Sequence, residues 1–303
     1  MIKFQKTIAD KIEVLGEGVF TGELIKVEML PAEENTGIVF VRGDLKNSPK
    51  IPLSPETVVG LEGNTAVTDG TNFIYLIEHL LSALHGLGVD NLIIKVYGCE
   101  IPILDGSAKP WVKAIQKVGY KFLPSTKRIF RVKKEFEVKN GRGYIRFYPY
   151  EGLKVSTAIN FPHPCIGSQQ LEFTFSPNNY IREICFAKTF AFKEELLKRQ
   201  QAGIIKGGDI NSVIVLEKDG ILNPEVMTTK DEFTRHKVLD LIGDLYSLGG
   251  TLLAHIEACC SSHKLHIEAI KKISQEREVL ELVEPVPSVT LVLISKFRSS
   301  PAF

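Results

Sequence analysis

The 303-residue sequence lacks a net charge of either sign and any long apolar run. Its 37 basic and 36 acidic residues give a formal net charge of +1, so no overall field favours nucleic acid or an anionic membrane. A charged ligand must therefore be bound by local groups. No run approaches the roughly 18 apolar residues of a membrane span, and the N-terminus has no apolar signal-peptide core. We therefore expect a soluble chain.

The sequence also lacks a C-x-x-C pair and low-complexity segments. Its five cysteines, an odd number, fit a reducing compartment better than a disulfide framework, so we expect a cytoplasmic protein. The chain is long enough for two domains of ordinary size, and its 44% apolar residues can form their cores.

Apolar periodicity predicts the same order of elements in both halves of the chain. The first half has predicted strands at 24–30, 37–42 and 91–98 and helices at 74–87 and 111–119. The second half has predicted strands at 129–138, 143–150, 153–161, 212–217, 251–260 and 288–294, helices at 231–248 and 266–279, and a mixed segment at 182–203. Residues 122–128, FLPSTKR, read as a linker. This order predicts two related α+β domains, near 1–124 and 128–303.

One predicted helix carries a histidine and two aspartates at one per turn. At about 100° per residue, His236, Asp240 and Asp244 fall within an arc of roughly 80°, opposite an apolar side. Neutral imidazole and carboxylate at i and i+4 can bind one divalent ion, and this N/O ligation suits zinc. The alternative is an exposed polar face with a local His–Asp pair.

A second predicted helix carries Glu78 and His79 away from its leucine stripe. A catalytic zinc keeps three protein ligands and one open position, and His79, His236 and Asp240 would supply that number. Glu78 could then accept a proton from water, as a general base does. A solvated helix face is again the alternative.

A series of short motifs runs nearly from end to end of the chain. The motifs are GEGVFTG (16–22), PAEENTGIVF (31–40), EHLLSALHGLGVDN (78–91), EIPILDGSA (100–108), NFPHP (160–164), AKTFAF (187–192), KGG (206–208), NPE (223–225), DEFTRHKVLDLIGDL (231–245) and SSHKL (261–265). Together they resemble the zinc-dependent UDP-3-O-acyl-N-acetylglucosamine deacetylase family, which performs the committed step of lipid A synthesis. The resemblance implies Zn²⁺ bound by His79, His236 and Asp240, with Glu78 as general base.

The resemblance also implies three further catalytic residues. His263 would protonate the leaving amine or stabilise the oxyanion, and Asp244 would hydrogen-bond His263 and keep it charged. Thr189 would donate its hydroxyl to the oxyanion. Without the resemblance, these would read as a loop histidine, a solvated carboxylate and a strand-end threonine.

The implied substrate is a small-molecule UDP-acyl-sugar with three parts to bind. Phe161 lies in the motif that would provide an apolar platform for the uracil ring. Lys237 would reach the sugar or diphosphate, and Arg142 would help neutralise phosphate. An insert at about 189–214 would form the acyl channel. Phe190 and Phe192 are the candidates to line it, with ordinary core packing as their alternative.

The fold implied by the resemblance is α+β with two similar domains. Each domain is a β-sheet backed by two helices, and the two pack as a β-α-α-β sandwich with the metal site between them. We expect a monomer that neither binds nucleic acid nor requires peripheral contact with a membrane.

Several positions depart from the family pattern without removing a ligand or the base. Phe20 replaces a histidine, Leu76-Ile77 replaces Thr-Val, Ser262 replaces glycine, His266 replaces asparagine, Asp209 replaces serine, and a Cys-Thr segment is not recognisable in 61–73. Ser262 would strain its loop only if that position needs a positive φ. These departures motivate an alternative function, a divergent paralogue that binds metal or nucleotide-sugar without catalysis. An RNA-binding module would need a basic face, which the charge balance does not provide.

Overall fold

The computed structural model describes residues 4–283. The predicted strand at 288–294 lies outside these residues, as does the end of the predicted second domain. Within them, no helix combines the length and apolar character needed to cross a membrane. The mixed α+β class expected from the sequence is confirmed, with several sheets and six α-helices among the described residues.

From residue 4 onward, the first half of the chain forms ten strands and two helices. The strands are β1 (Phe4–Ile8), β2 (Ile12–Glu17), β3 (Leu24–Pro31), β4 (Ile38–Arg42), β5 (Lys50–Pro52), β6 (Val58–Gly60), β7 (Thr65–Thr68), β8 (Phe73–Ile74), β9 (Leu92–Tyr97) and β10 (Tyr120–Thr126), and the helices are α1 (Glu78–Leu87) and α2 (Lys109–Val118). They form a five-stranded sheet of order β2-β3-β9-β4-β5, a three-stranded sheet β6-β7-β8 and a pair β1-β10. Three separate sheets thus occur in this half, where one was expected.

Up to residue 283, the second half forms nine strands and four helices. The strands are β11 (Ile129–Val132), β12 (Phe136–Asn140), β13 (Gly143–Tyr148), β14 (Leu153–Phe161), β15 (Gly167–Thr174), β16 (Phe190–Phe192), β17 (Ile214–Leu216), β18 (Thr251–Cys259) and β19 (Leu280–Leu282), and the helices are α3 (Pro177–Glu183), α4 (Lys193–Gln201), α5 (Glu232–Leu245) and α6 (His263–Gln275). A seven-stranded sheet is built around β18, which pairs with β11, β13 and β14. Within the expected insert, β16 pairs in parallel with β17, and α4 follows β16 directly.

Two local predictions were wrong because backbone pairing with distant residues overrides the local pattern. The helix predicted at 74–87 begins only at Glu78, because the backbone of Tyr75 pairs with Cys99 and Ile101 and Leu76 adopts a positive φ of 60°. It does end at Gly88, which has a left-handed φ of 67° as a C-cap. The predicted linker 122–128 largely belongs to β10, which pairs antiparallel with the distant strand β1.

The long polar-faced helix α5 packs directly on α1, and a glycine makes this close approach possible. A Cβ atom at Gly243 would lie 2.1 Å from the carbonyl oxygen of Glu78, so a larger residue would push the helices apart. All ten residues of α1 are buried, as are most of α5. Their polar faces therefore meet inside the molecule.

Candidate active site

The polar faces of α1 and α5 are buried, which rules out the solvated helix faces considered from the sequence. His236 and Asp240 are only 2% and 1% exposed, and Asp244 is fully buried. Glu78 and His79 on α1 are buried as well. Since a buried ionisable group is costly without partners, these five side chains require an explanation by mutual contacts or a ligand.

Three of them, His79, His236 and Asp240, place their potential ligand atoms close together. The Nε2 atoms of His79 and His236 lie 3.7 Å and 3.2 Å from Oδ1 of Asp240. His236 donates its Nδ1–H to the carbonyl of Ala187 at 3.1 Å, which directs its Nε2 atom toward Asp240. The three donor atoms lie within 4.8 Å of one another, so the group can hold a metal ion.

The chemistry of this group fits a divalent cation. Oδ1 of Asp240 is buried and has no hydrogen-bond partner, although buried carboxylate oxygens normally have one. Burial lowers the pKa of His236 to about 3, so its imidazole is neutral and its Nε2 lone pair is available. Burial would raise the pKa of Asp240, but the surrounding positive groups hold it well below its usual range. Two imidazoles and a carboxylate form a donor set that zinc accepts.

Glu78 lies beside this group and is held by a residue that the sequence did not identify. The backbone N–H of Thr65 donates to Oε2 of Glu78 at 3.0 Å. Burial raises the pKa of Glu78, which brings the carboxylate closer to the basicity of a proton acceptor at neutral pH.

Asp244 is the centre of a second buried group. Its Oδ2 atom lies 2.7 Å from Nδ1 of His263 and 2.7 Å from Nδ1 of His266, and its Oδ1 accepts the hydroxyl of Thr65 at 2.7 Å. Burial disfavours a charge on His263, but the carboxylates of Asp244 and Asp240 outweigh it and raise the pKa of His263 to about 9. The imidazolium is therefore the stable form of His263 at neutral pH.

The loop before α6 holds His263 without the strain that a serine at 262 could have introduced. Ser262 has an extended backbone, with φ −135° and ψ 164°, and its side chain caps α6 by accepting from the N–H of Leu265. The positive φ of this loop falls instead on Cys260.

Thr189 lies at the start of the insert, two residues after Ala187. Its backbone N–H donates to the carbonyl of Gly106, and its own carbonyl accepts from Ile214. A Cβ atom at Gly106 would lie 1.7 Å from the carbonyl oxygen of Ser212, so only glycine fits this turn. The turn at Asp105, Gly106 and Ser107 therefore fixes the backbone position of Thr189.

The predicted aromatic residues of the substrate site form one cluster beside His236. Phe190 contacts Phe161, Phe233 and His236 with ring centroids 5.6, 5.1 and 6.3 Å apart. Phe192 lies 6.1 Å from Phe161 by the same measure. The four phenylalanines thus occur together, and Phe161, Phe190 and Phe192 are half-buried against the core cluster that contains Phe233.

The two basic candidates are placed differently. Lys237 binds Oδ2 of Asp240 through its Nζ atom at 2.8 Å and lies 5.6 Å from the ring centroid of Phe190. It therefore contacts the site, but through the carboxylate of Asp240. Arg142 is exposed in the turn between β12 and β13. The roles of all these residues stay predictions.

Sequence reasoning missed Thr65 and did not assign a role to His266. Thr65 lies in the segment 61–73, where only a Cys-Thr pattern would have drawn attention to it, and here Asn64 precedes it. His266 was visible as a departure from the family motif. Its spacing of three residues from His263 places both on one helix face only because α6 begins at His263, three residues before the predicted start at 266.

Comparison with known proteins covers nearly the whole chain. Residues 5–275 match the profile of the family described as UDP-3-O-acyl N-acetylglycosamine deacetylase (LpxC). The protein of that activity from Teredinibacter turnerae is 38% identical over 285 residues, which cover 93% of this chain and 94% of that protein. The corresponding protein from Nautilia profundicola is 40% identical over 273 residues, covering 90% and 92%. The chain belongs to the UDP-3-O-acyl-N-acetylglucosamine deacetylase family.

Proposed function

We propose that this chain is a zinc-dependent amidohydrolase that removes the N-acetyl group of UDP-3-O-acyl-N-acetylglucosamine and releases acetate, in lipid A biosynthesis. The observation that carries the proposal is the buried group of His79, His236 and Asp240, with the buried carboxylate of Glu78 beside it. The family membership of nearly the whole chain supports the same activity.

His79, His236 and Asp240 would hold the zinc ion. The free Oδ1 of Asp240 and the neutral imidazole of His236 support this assignment. When bound, zinc supplies Lewis acidity that polarises the acetyl carbonyl and acidifies a water molecule. The Lys237 ammonium at Oδ2 of Asp240 leaves Oδ1 as the oxygen that faces the two histidines.

Glu78 would accept the proton of the attacking water. Its raised pKa supports a carboxylate that is basic enough to take a proton, and the N–H of Thr65 on Oε2 orients it. Hydrolysis of the amide takes one proton from water and delivers one to the amine, so the leaving nitrogen also needs a proton donor.

His263 would provide that second group. Its pKa of about 9 supports a protonated imidazole that donates to the leaving amine or stabilises the oxyanion, while Asp244 holds its Nδ1–H. The hydroxyl of Thr189 would be a further donor to the oxyanion. The products are the free amine of the sugar and acetate.

The substrate would extend from the zinc along the aromatic cluster. Phe161 would stack on uracil, while Phe190 and Phe192 would line the acyl channel formed by the insert 189–214. Lys237 and Arg142 would bind the sugar or the phosphates. The edge-on contact of Phe190 with His236 supports a channel that leads to the metal.

The domain organisation belongs to the same proposal. Residues 1–124 and 128–303 would form two domains packed as a β-α-α-β sandwich, with the site between α1 and α5. Among the described residues, each sheet draws its strands from one half of the chain, which supports this division. The protein would act as a cytoplasmic monomer without a nucleic acid or a membrane partner, and its five free cysteines support the reducing compartment.

The test combines metal content with turnover. The purified protein should contain one zinc by mass spectrometry and release acetate from UDP-3-O-acyl-N-acetylglucosamine, and a chelator should abolish this release. Glu78→Gln should reduce acetate release by at least about 100-fold while zinc is retained, because it removes only the base. His236→Ala should lose the metal. His255→Ala, on the remote strand β18, is the matched control and should keep both.

Full activity of either active-site variant would exclude the proposed mechanism. Bound zinc without acetate release in the wild-type protein would instead favour the non-catalytic paralogue.

A further inference from the structure

His266 is the point at which this chain departs from the family motif inside the buried site. It lies one turn after His263 on α6, so both side chains project from the same side of the helix. Their ring centroids are 5.8 Å apart, and both Nδ1 atoms lie 2.7 Å from the same oxygen, Oδ2 of Asp244. One carboxylate oxygen thus binds two imidazoles.

The protonation of His266 follows from its two partners. An ionised carboxylate oxygen only accepts, so Nδ1 of His266 must carry the proton toward Asp244. Nε2 of His266 lies 2.8 Å from the hydroxyl of Ser261 and accepts from it. His266 is 1% exposed, and this burial lowers its pKa, in agreement with a neutral ring.

Hydrogen bonds explain this group better than a second metal ion does. Its donor atoms are close enough together for a cation. Tetrahedral zinc ligands at about 2.0–2.1 Å from the ion lie roughly 3.3 Å from one another. The 2.7 Å separations of both Nδ1 atoms from Oδ2 of Asp244 are instead ordinary lengths for charge-assisted hydrogen bonds.

Asp244 therefore has two donors besides His263. The hydroxyl of Thr65 on Oδ1 and the Nδ1–H of His266 on Oδ2 fix the plane of the carboxylate independently of His263. Each donor also lowers the affinity of Asp244 for a proton, so the proton between Asp244 and His263 stays on His263. The opposite nitrogen of His263, Nε2, lies 3.8 Å from Asp240 and faces the metal-ligand group.

We propose that His266, oriented by Ser261, is a positioning residue that holds the Asp244 carboxylate and thereby orients His263 toward the reacting atoms. This role rests on the deacetylase function proposed above. Ser261, His266, Asp244 and His263 thus form a hydrogen-bonded chain in which the first two residues act on His263 only through Asp244.

The kinetic test compares a variant that loses both ring nitrogens with one that keeps a donor. His266→Phe should lower kcat for acetate release by about tenfold with KM and zinc content unchanged, because it removes one hydrogen bond from a buried carboxylate. His266→Asn, which retains an amide N–H, should recover kcat to within about threefold of the wild type. His255→Phe on β18 is the matched control and should have wild-type kinetics.

A spectroscopic test does not depend on turnover. In protein labelled with ¹⁵N-histidine, His263 and His266 should both show a low-field Nδ1–H proton. His266→Phe should remove one of these signals and shift the other, and Ser261→Ala should shift the Nε2 resonance of His266. Circular dichroism of each variant checks that it folds.

Two results would overturn the role of His266. One is an unchanged His263 Nδ1–H resonance in both His266→Phe and His266→Asn, and the other is a kcat for His266→Asn as low as that of His266→Phe. If the wild-type protein released no acetate, the proposed function would fail, while the resonances would still decide whether His266 orients His263.

Discussion

Thr65 connects the two acid–base groups of the site. Its backbone N–H binds the carboxylate of Glu78, and its hydroxyl binds Oδ1 of Asp244 and lies 3.2 Å from Nδ1 of His263. The proposed base and the proposed acid are therefore fixed by one residue on β7. The backbone contact survives any substitution except proline, whereas the hydroxyl contact does not, so the two can be separated experimentally.

Thr65→Val should lower kcat by about tenfold and leave zinc content unchanged. Valine has nearly the shape of threonine but leaves a buried carboxylate oxygen without its donor, which costs roughly 1–3 kcal/mol. Acetate release and metal analysis measure the two effects. Thr65→Ser, which keeps the hydroxyl, should stay close to the wild type. Equal rates for the valine and serine variants would show that the hydroxyl does not matter.

The site residues differ in how visible they are in the sequence. His236, Asp240 and Asp244 follow the helical period, so the pattern alone predicts that they share a face. That this face is buried could not be read from the pattern, because α5 buries it against α1 from the other half of the chain. Thr65 reaches the site through β7 and a contact over 179 residues, for which no local pattern exists.

At the scale of elements, predictions that rest on local signals are correct, whereas features set by long-range pairing were not predicted. The predicted end of α1 at residue 87 is correct, because the left-handed Gly88 that caps this helix is a local signal. The start of α1 and the strand β10 depend on pairing with Cys99, Ile101 and the distant strand β1, so they were missed. The sequence predicts no element where β15 and most of α3 lie. Helix α4 lies inside the segment 182–203, for which the sequence gives only a mixed prediction.

His85 joins α1 to the end of α5 and makes this contact sensitive to acid. It is buried, stacks on Tyr246 with centroids 4.7 Å apart, and donates its Nδ1–H to the carbonyl of Ile242 at 2.8 Å. Burial lowers the pKa of His85 to about 4 from its ordinary value of 6.5. Between these values the unfolded chain binds a proton that the folded chain does not, so stability falls as the pH falls from 6.5 toward 4.

We expect His85→Phe to reduce this loss of stability in acid. The wild type should lose about 1.4 kcal/mol per pH unit from this group across the window, up to about 3 kcal/mol. The phenylalanine variant lacks the Ile242 contact and should be less stable at pH 7.5, but its disadvantage should narrow by pH 5. Urea unfolding at both pH values measures the difference. A disadvantage that stays constant would assign the acid sensitivity to other groups.

At the scale of the whole molecule, the candidate zinc site joins the two halves of the chain. His79 comes from α1 in the first half, and His236 and Asp240 come from α5 in the second. The fold class and the pairing of these helices followed from the sequence and the resemblance, whereas the division of the first half into three sheets did not, because strand pairing is set by long-range contacts. A metal ion at this position would stabilise both halves together.

Removal of zinc should therefore lower the melting temperature of the whole protein in one transition. A ligand at about 1,000 times its Kd stabilises the folded state by about 4 kcal/mol, which corresponds to a shift on the order of 5–10 °C for a chain of this size. Differential scanning calorimetry with and without a chelator measures this shift. In His236→Ala the chelator should have no effect, because one ligand is missing. An equal chelator effect in the variant and the wild type would place the stabilising metal elsewhere, and two separate transitions would mean that the site does not couple the halves.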